Sequence, residues 1–573
     1  MKPLLNSKLL LTTVLFLTLL VALACSPADP TNHPATDSTS SPTPVASPTQ
    51  ASVAAPAAMP LTTAASTPGA GGSLTVAGLA DIPHRDVHQE VQEALTTLGP
   101  GLAYSRLLRI SSSQGSDRSG PVLECDLCQS WRMTSDFSYE FQLRPNVRWQ
   151  NIPPVFGRPL VAQDLVFSYN RMRTPGWPNA PLLAPIGSVT ALDPQTLRVR
   201  LAFADSDGLL ALADGHSKIV APEVVELYGD LKDSPVIGTG PWVWEGSTSG
   251  QETVLTRNPG YFEPGRPLLD RLEIRSIRDS RGSALGGLAR VAAYQAGQVD
   301  VLSPDVQEWQ AMRSGGRPVE SVISPQGGPG LLLTLNTQAP ALDKVAVRQA
   351  IFKAIDPWDY LDKFWAGQGQ VGVGLPALQP DWLLSREEMR GRYFADPSRA
   401  RSLLAGAGFQ PPLALELAVG DFGPAYLASA ERLASDLRSV GFDPTIRRMT
   451  PAQFQDRVLG PDRKYHIALG ALPPATSING FMAPVLHSGG RWNISGHTDA
   501  RLDGMIEAQA AQLEPGRRRE QVLEIQRHVL DQAYLFSPVT GATRWAFRPD
   551  IQDFRPSAAM SEYLFWSQVR RGS

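Results

Sequence analysis

Cysteine is scarce in this chain: only Cys25, Cys125 and Cys128 occur among 573 residues. So few thiols exclude a fold that depends on a framework of disulfides. Neither sign of charge is in large excess, since 52 basic and 55 acidic residues leave a formal net charge of -3. This balance gives no electrostatic reason to expect nucleic acid as a partner, because nucleic-acid-binding proteins normally carry a basic face. The length predicts about three lobes instead of one core.

Recognisable enzyme motifs are few. The chain has no Gly-x-Ser-x-Gly elbow, no His-Glu-x-x-His pair and no phosphate-binding loop. A dinucleotide-type fingerprint runs from Gly367 to Gly372, but it follows a predicted helix instead of a strand, so the geometry that cradles phosphate is missing. The eight histidines are scattered, so no metal site is predicted. We therefore expect a protein that is not an enzyme and that uses no cofactor.

Long apolar runs are missing except near the amino terminus. Two lysines in residues 1–8 precede an apolar run from Leu9 to Leu23, which is shorter than the ~20 residues that span a bilayer. The run predicts a signal peptide. It ends in Ala22-Leu23-Ala24-Cys25, which resembles the lipobox of bacterial lipoproteins. The resemblance implies that residues 1–25 comprise a signal peptide and a lipidated anchor, Cys25; the alternative is an ordinary cleaved signal with an incidental cysteine.

Residues 26–72 consist mostly of Pro, Ser, Thr, Ala and Gly, with almost no charge and few large apolar side chains. Such a segment cannot bury enough surface to offset the entropy of ordering it. We therefore predict a disordered tether, which would let a soluble body diffuse near a membrane while staying attached to it.

The remainder of the chain has the pattern of an α/β protein. Apolar residues alternate with polar ones in strand-like runs such as residues 139–144 and 197–201. A strand from Leu413 to Val419, an amphipathic helix from Ala425 to Ser439 and a strand from Phe442 to Met449 form a predicted βαβ unit. This unit indicates a mostly parallel sheet covered by helices. In such sheets, ligands bind beyond the carboxyl ends of the strands.

Five blocks of sequence follow one another in a recognisable order: residues 72–78, residues 129–168, residues 238–262, residues 335–356 and residues 487–503. The most distinctive parts are Gln129-Ser130-Trp131 and Gly238-Thr239-Gly240-Pro241-Trp242. Together the blocks resemble the extracellular solute-binding proteins of peptide-type and nickel-type ABC importers, known as bacterial solute-binding protein family 5. The resemblance extends from about Gly72 almost to the carboxyl terminus.

The resemblance implies a two-lobed periplasmic-binding-protein type II fold with an additional third domain. Its expected boundaries are lobe I in residues 73–110, 215–325 and 531–573, domain II in residues 111–214, and lobe III in residues 326–530. It also implies an extracytoplasmic solute receptor; the alternative function is a lipid-anchored ligand sensor that uses the same cleft without transport.

 

The implied function is that of a receptor on the outer face of the cell membrane, or in the periplasm, which binds a small-molecule or peptide solute reversibly and delivers it to the permease subunits of an ABC importer. The implied attachment to the membrane is the lipid anchor alone, and the protein is expected to be a monomer. An exported hydrolase is a more distant alternative.

The solute site is expected in loops that follow strands. After residues 73–79 come Ile82 and His84, and after residues 464–470 come Leu472 and Thr476. Trp382 and Trp492 are predicted stacking platforms for the solute. In peptide-binding members of the family, the loop at Leu472 contains an aspartate that pairs with the amino terminus of the peptide. This sequence has no carboxylate between Ala471 and Pro484, so we do not expect a peptide with a free amine to bind in that manner.

Cys125 and Cys128 form a Cys-x-x-Cys pair beside the second block. A zinc site would need two more ligands nearby, and a redox site would need a reactive thiolate between a strand and a helix. Neither context is evident. A local disulfide is therefore predicted, with two free buried thiols as the alternative.

Overall fold

The computed structural model describes most of the chain after the predicted tether. The described residues are 71–78, 82–111, 122–135, 137–248, 252–277, 288–327, 330–376, 380–460, 463–473, 475–557 and 561–572. The predicted signal peptide, Cys25 and the predicted tether up to residue 70 lie outside them. In the part of the chain that is described, no helix combines the length and the apolar character that crossing a membrane requires.

The strands of the described residues are, in chain order, β1 Ser73–Gly78, β2 Leu108–Ile110, β3 Leu123–Cys125, β4 Cys128–Ser135, β5 Ser138–Leu143, β6 Ile186–Asp193, β7 Thr196–Leu201, β8 Trp242–Thr248, β9 Glu252–Arg257, β10 Arg271–Ser276, β11 Val301–Leu302, β12 Glu320–Gly327, β13 Leu331–Leu335, β14 Gln370–Gly372, β15 Leu413–Gly420, β16 Phe442–Met449, β17 Ile467–Ala471, β18 Leu535–Thr540, β19 Ala542–Phe547, β20 Ile551–Gln552 and β21 Arg570–Arg571.

The α-helices are α1 Glu93–Thr96, α2 Ala162–Met172, α3 Leu210–Ala213, α4 Pro222–Tyr228, α5 Leu288–Gln295, α6 Val306–Ser314, α7 Val345–Lys353, α8 Pro357–Phe364, α9 Arg386–Arg392, α10 Pro397–Gly406, α11 Pro424–Arg438, α12 Pro451–Phe454, α13 Ile478–Phe481, α14 Ala500–Ala510 and α15 Pro515–Asp531.

A seven-stranded mixed sheet, in the order β12-β19-β11-β1-β10-β9-β8, forms the part that we call lobe I. Its centre is the parallel pair of β1 and β10, in which Leu74 lies opposite Leu272 and Val76 lies opposite Ile274. Leu74, Val76 and Leu272 are fully buried. These alternating positions explain why the two strands adopt this register, since a shift by one residue would expose the apolar face.

An antiparallel sheet, in the order β4-β5-β7-β6, forms the part that we call domain II. The alternation in the sequence is confirmed here, because Phe141, Leu197 and Val199 are fully buried while their polar neighbours point away from the core. Just before this sheet, Cys125 and Cys128 form a disulfide with their Cα atoms 4.9 Å apart. The disulfide joins the end of β3 to the start of β4.

A six-stranded sheet, in the order β14-β18-β13-β17-β15-β16, forms the part that we call lobe III. The predicted βαβ unit is confirmed: β15 and β16 are parallel, and α11 connects them. Gly441 ends the connection with a φ of 108°, a conformation that glycine adopts at little cost. The buried apolar residues of lobe III form a core cluster of their own, separate from those of lobe I and domain II.

The chain crosses between the two large sheets at two adjacent places. One crossing joins β12 to β13, and the other joins β18 to β19 through Gly541. The second crossing differs from the expected boundary at residue 531, because β18 pairs with β13 and β14 in lobe III. Every residue of β18 is buried, so the strand carries no alternation from which its sheet could be predicted.

Candidate ligand-binding site

A cavity of about 400 Å³ opens in lobe III where three parallel strands end. Phe422 follows β15, Pro451 follows β16, and Leu472 follows β17, and all three residues line the cavity. Since β15 is parallel to both β16 and β17, their carboxyl ends meet at one edge of the sheet. This is the edge at which α/β sheets bind ligands.

The lining of the cavity is largely apolar and aromatic. Phe422, Phe454 and Trp492 contribute rings, while Thr334 and Gln455 contribute the polar side chains. Among the described residues that line the cavity, none carries an ionisable side chain. The site is therefore suited to an uncharged group that can make a small number of hydrogen bonds.

Small residues of β17 make room for the aromatic side chains. A Cβ atom on Gly470 would lie only 2.4 Å from the Phe454 ring, so glycine is what allows this ring to approach the strand. The Phe422 ring meets the Phe454 ring edge to face, with their centroids 5.5 Å apart. Ala468, two residues earlier on the same face of the strand, also lines the cavity.

The loop at Leu472 is hydrogen-bonded to one of the two crossings. The carbonyl oxygen of Gly330 accepts a bond from the backbone N–H of Leu472 at 3.1 Å and another from the hydroxyl of Tyr426 at 3.0 Å. Burial raises the pKa of Tyr426 well above its usual value, so the hydroxyl remains a donor. The cavity wall and the connection between the sheets are thus mechanically linked.

Leu472 and Trp492 are the two predicted site residues that line the cavity. Thr476 lies a few residues beyond Leu472 and is half-buried, outside the lining. Ile82 packs against the core cluster of domain II, and His84 is half-buried, with its Nδ1 accepting a hydrogen bond from the backbone N–H of Asp86 at 3.1 Å. The structure therefore brings two of the predicted side chains together.

The structure places Trp382 in the core of lobe III and not at the predicted solute site. Its side chain belongs to the core cluster of lobe III and the residue is only 2% exposed. Its carbonyl oxygen accepts a hydrogen bond from Gln526 Nε2 at 2.7 Å, and the guanidinium of Arg518 lies 5.8 Å from the centre of its ring. The Trp382 ring therefore packs against Arg518 inside lobe III, and neither of its faces is open to a solute.

Sequence reasoning missed the two phenylalanines of the cavity. Phe422 lies in the loop directly after β15, and Phe454 ends the short helix α12 that follows β16. Both positions come after predicted parallel strands, so the rule that points to Leu472 could also have found them. In the part of the chain that is described, no group of three or more His, Cys, Asp or Glu side chains is arranged to hold a metal ion.

Comparison with known proteins identifies the family. The family profile described as the middle region of bacterial extracellular solute-binding proteins, family 5, matches residues 123–493. The chain belongs to this family.

Relatives in this solute-binding family are similar over different shares of their length. The probable ABC transporter periplasmic-binding protein SapA of Escherichia coli is 25% identical over 82% of this chain and 90% of its own length. Heme-binding protein A of Haemophilus influenzae is 28% identical over 53% of this chain, and the match spans just 56% of that relative. A probable di/tripeptide-binding protein of Pseudomonas aeruginosa is 26% identical over 66% of this chain and 73% of its own length.

Solved structures support the fold. The ABC transporter substrate-binding protein CtaP of Listeria monocytogenes superimposes with a TM-score of 0.74 at 19% identity, covering 88% of this chain and 100% of that structure. HbpA2 of Haemophilus parasuis gives a TM-score of 0.72 at 20% identity over the same shares. The chain therefore has the type II periplasmic-binding-protein fold, and the implied α/β architecture is confirmed.

Proposed function

We propose that this family 5 solute-binding protein is an extracytoplasmic receptor that captures a small organic solute reversibly and delivers it to the permease subunits of an ABC importer. The observation that carries the proposal is the cavity at the carboxyl ends of β15, β16 and β17. Relatives named as heme-binding, di/tripeptide-binding and glutathione-binding proteins support the same role. The part of the solute that enters this cavity is uncharged and largely apolar.

The absence of charge in the lining supports this choice of solute. An ammonium group would lose its hydration in the cavity without gaining a carboxylate partner among the described lining residues. Phe422, Phe454 and Trp492 offer ring faces and edges instead. Thr334 and Gln455 can each hydrogen-bond one polar atom of the solute.

A pair of matched probes tests the proposal. N-acetyl-L-phenylalaninamide is uncharged, whereas L-phenylalaninamide carries an ammonium group when the titration is run near pH 6, below the pKa of its α-amino group. We expect the uncharged probe to bind at least about tenfold more tightly in isothermal titration calorimetry, because the cavity cannot compensate a buried charge. Equal affinity, or tighter binding of the ammonium form, would contradict the proposed solute chemistry.

A cavity-filling substitution locates the binding. Ala468→Leu adds side-chain volume inside the cavity and should weaken binding of the uncharged probe by about tenfold or more. Ala405→Leu makes the same change at an exposed position of α10 and serves as the control. If Ala468→Leu binds the probe as well as the control does, the solute site lies elsewhere. Native mass spectrometry of the purified protein checks both the mass of a monomer and any co-purified solute.

Lipidation of Cys25 would attach this receptor to the outer face of the membrane. The support is the sequence Ala22-Leu23-Ala24-Cys25 at the end of an apolar run. We expect Cys25→Ser to move the protein from the membrane fraction to the soluble fraction of the expressing cells, as followed by immunoblotting. Cys125→Ser, which leaves the amino-terminal segment intact, is the control. Unchanged retention of the Cys25→Ser protein in membranes would rule out the anchor.

A further inference from the structure

Domain II and lobe III are joined by an ion pair that is largely shielded from solvent. The guanidinium of Arg518, on α15, donates to both carboxylate oxygens of Asp207, with Nη1 to Oδ1 at 2.6 Å and Nη2 to Oδ2 at 2.7 Å. The two side chains are 11% and 12% exposed. Asp207 lies after β7 of domain II, so this fork-shaped pair connects two separately built parts of the molecule.

Asn479 completes the contact from the start of α13. Its backbone N–H donates to Asp207 Oδ2 at 3.0 Å, and its side-chain amide donates to Oδ1 of Asp205. A backbone bond of 2.8 Å, from the N–H of Ser206 to the carbonyl oxygen of Ala510, lies beside them. Residues 205–207 of domain II are therefore held at several points by lobe III.

The lobe III side of the contact is organised by its own residues. Gln509 accepts a bond from Arg518 Nε at 3.2 Å and donates one to Asn479 Oδ1 at 2.7 Å. The ring of Trp382 lies beneath the Arg518 guanidinium. Because these partners all belong to lobe III, they orient the Arg518 guanidinium toward the position of Asp207 independently of domain II.

The contact joins two parts of the chain that are covalently linked only through lobe I. The chain leaves domain II through lobe I and enters lobe III only by the crossing after β12. The cores of domain II and lobe III are separate apolar clusters. A contact made of hydrogen bonds can exchange its partners for water when it opens, at a lower cost than the exposure of a shared apolar core.

We propose that Asp205 and Asp207, together with Arg518 and Asn479, form a latch that holds domain II against lobe III and thereby sets the population of the closed protein. Removing one charge leaves the other without its partner, so the closed state loses stability while each separate core remains intact. This role goes beyond solute capture, because it fixes how readily the protein opens for its solute.

Hydrogen exchange of the full chain tests the latch. We expect Arg518→Gln and Asp207→Asn each to speed exchange in peptides that contain the amides of Ser206 and Asn479 by about tenfold or more. Peptides from the core strands β13 and β17 should keep their protection. The radius of gyration from small-angle X-ray scattering should increase in both variants.

Arg527→Gln is the matched control. Arg527 lies on the same helix, α15, but its partner is Glu388 within lobe III, with Nε to Oε1 at 2.7 Å. This control should leave the exchange of Ser206 and Asn479 unchanged. The double variant of Arg518 and Asp207 should speed exchange by less than the product of the two single effects, because both changes break the same ion pair. Unchanged exchange in both single variants, or equal loss of protection throughout lobe III, would overturn the latch.

Discussion

The imidazole of His88 is fully buried, and its Nε2–H donates to the carbonyl oxygen of Lys218 at 2.8 Å. Burial, together with the nearby charge of Arg171, lowers the pKa of His88 to about 4. Asp86, which pairs with Arg171 at 3.0 Å, has its pKa lowered to about 2 because that pairing outweighs the effect of burial. The histidine is therefore neutral in the folded protein while the neighbouring aspartate is charged.

His88 should make the stability of the protein depend on pH. The unfolded histidine takes up a proton below about pH 6.5, whereas the folded one resists protonation down to about pH 4. The free energy of unfolding should therefore fall as the pH drops through this window, by up to about 3 kcal/mol from this residue. Asp86 contributes below the window, since its stabilising charge is lost only as the pH falls toward 2.

Urea unfolding between pH 7 and pH 4 measures this dependence. His88→Gln should flatten the pH slope relative to the wild-type protein, although it also removes a buried contact and lowers stability at pH 7. His84→Gln, at a half-buried position in the same segment, is the control for replacing a nearby histidine. An unchanged slope in His88→Gln would show that the buried imidazole is not the group responsible.

At the scale of elements, local patterns predicted those strands and helices whose two faces differ. The unit of β15, α11 and β16 was predicted within one or two residues of its observed bounds. The alternation in β5 and β7 likewise predicted their buried faces. Their amphipathic patterns indicate which face packs against the core.

Elements buried on both faces were less predictable. β18 has no exposed side to indicate its neighbours, and its pairing with β13 depends on residues about 200 positions away in the chain. The cavity likewise depends on contacts between distant segments of the chain. Leu472 and Trp492 could be proposed from loop position and residue type, but their proximity to Phe454 depends on how α12 packs on β17. Trp382 shows the opposite error, because residue type alone cannot distinguish a stacking platform from core packing.

At the scale of the whole molecule, the two crossings between the sheets lie side by side. A Cβ atom on Gly330 would lie 3.1 Å from the backbone nitrogen of Gly541, in the other crossing, and 2.9 Å from the carbonyl oxygen of Val539. It would also lie 2.9 Å from Cβ of Leu472, at the cavity wall. Because Gly330 has no side chain, the two crossings and the cavity wall can lie in contact. Any relative motion of lobe I and lobe III must bend the chain at these crossings.

Gly330→Ala should therefore disturb stability and binding together. The added methyl group forces the crossings apart, which should lower the free energy of unfolding by about 1–3 kcal/mol. It should also displace Leu472 and weaken binding of N-acetyl-L-phenylalaninamide. Urea unfolding and calorimetric titration measure the two effects. Gly316→Ala is the control, because a Cβ atom there meets nothing within 4 Å. If Gly330→Ala loses stability but binds the probe like the control, the crossing and the cavity wall are not coupled.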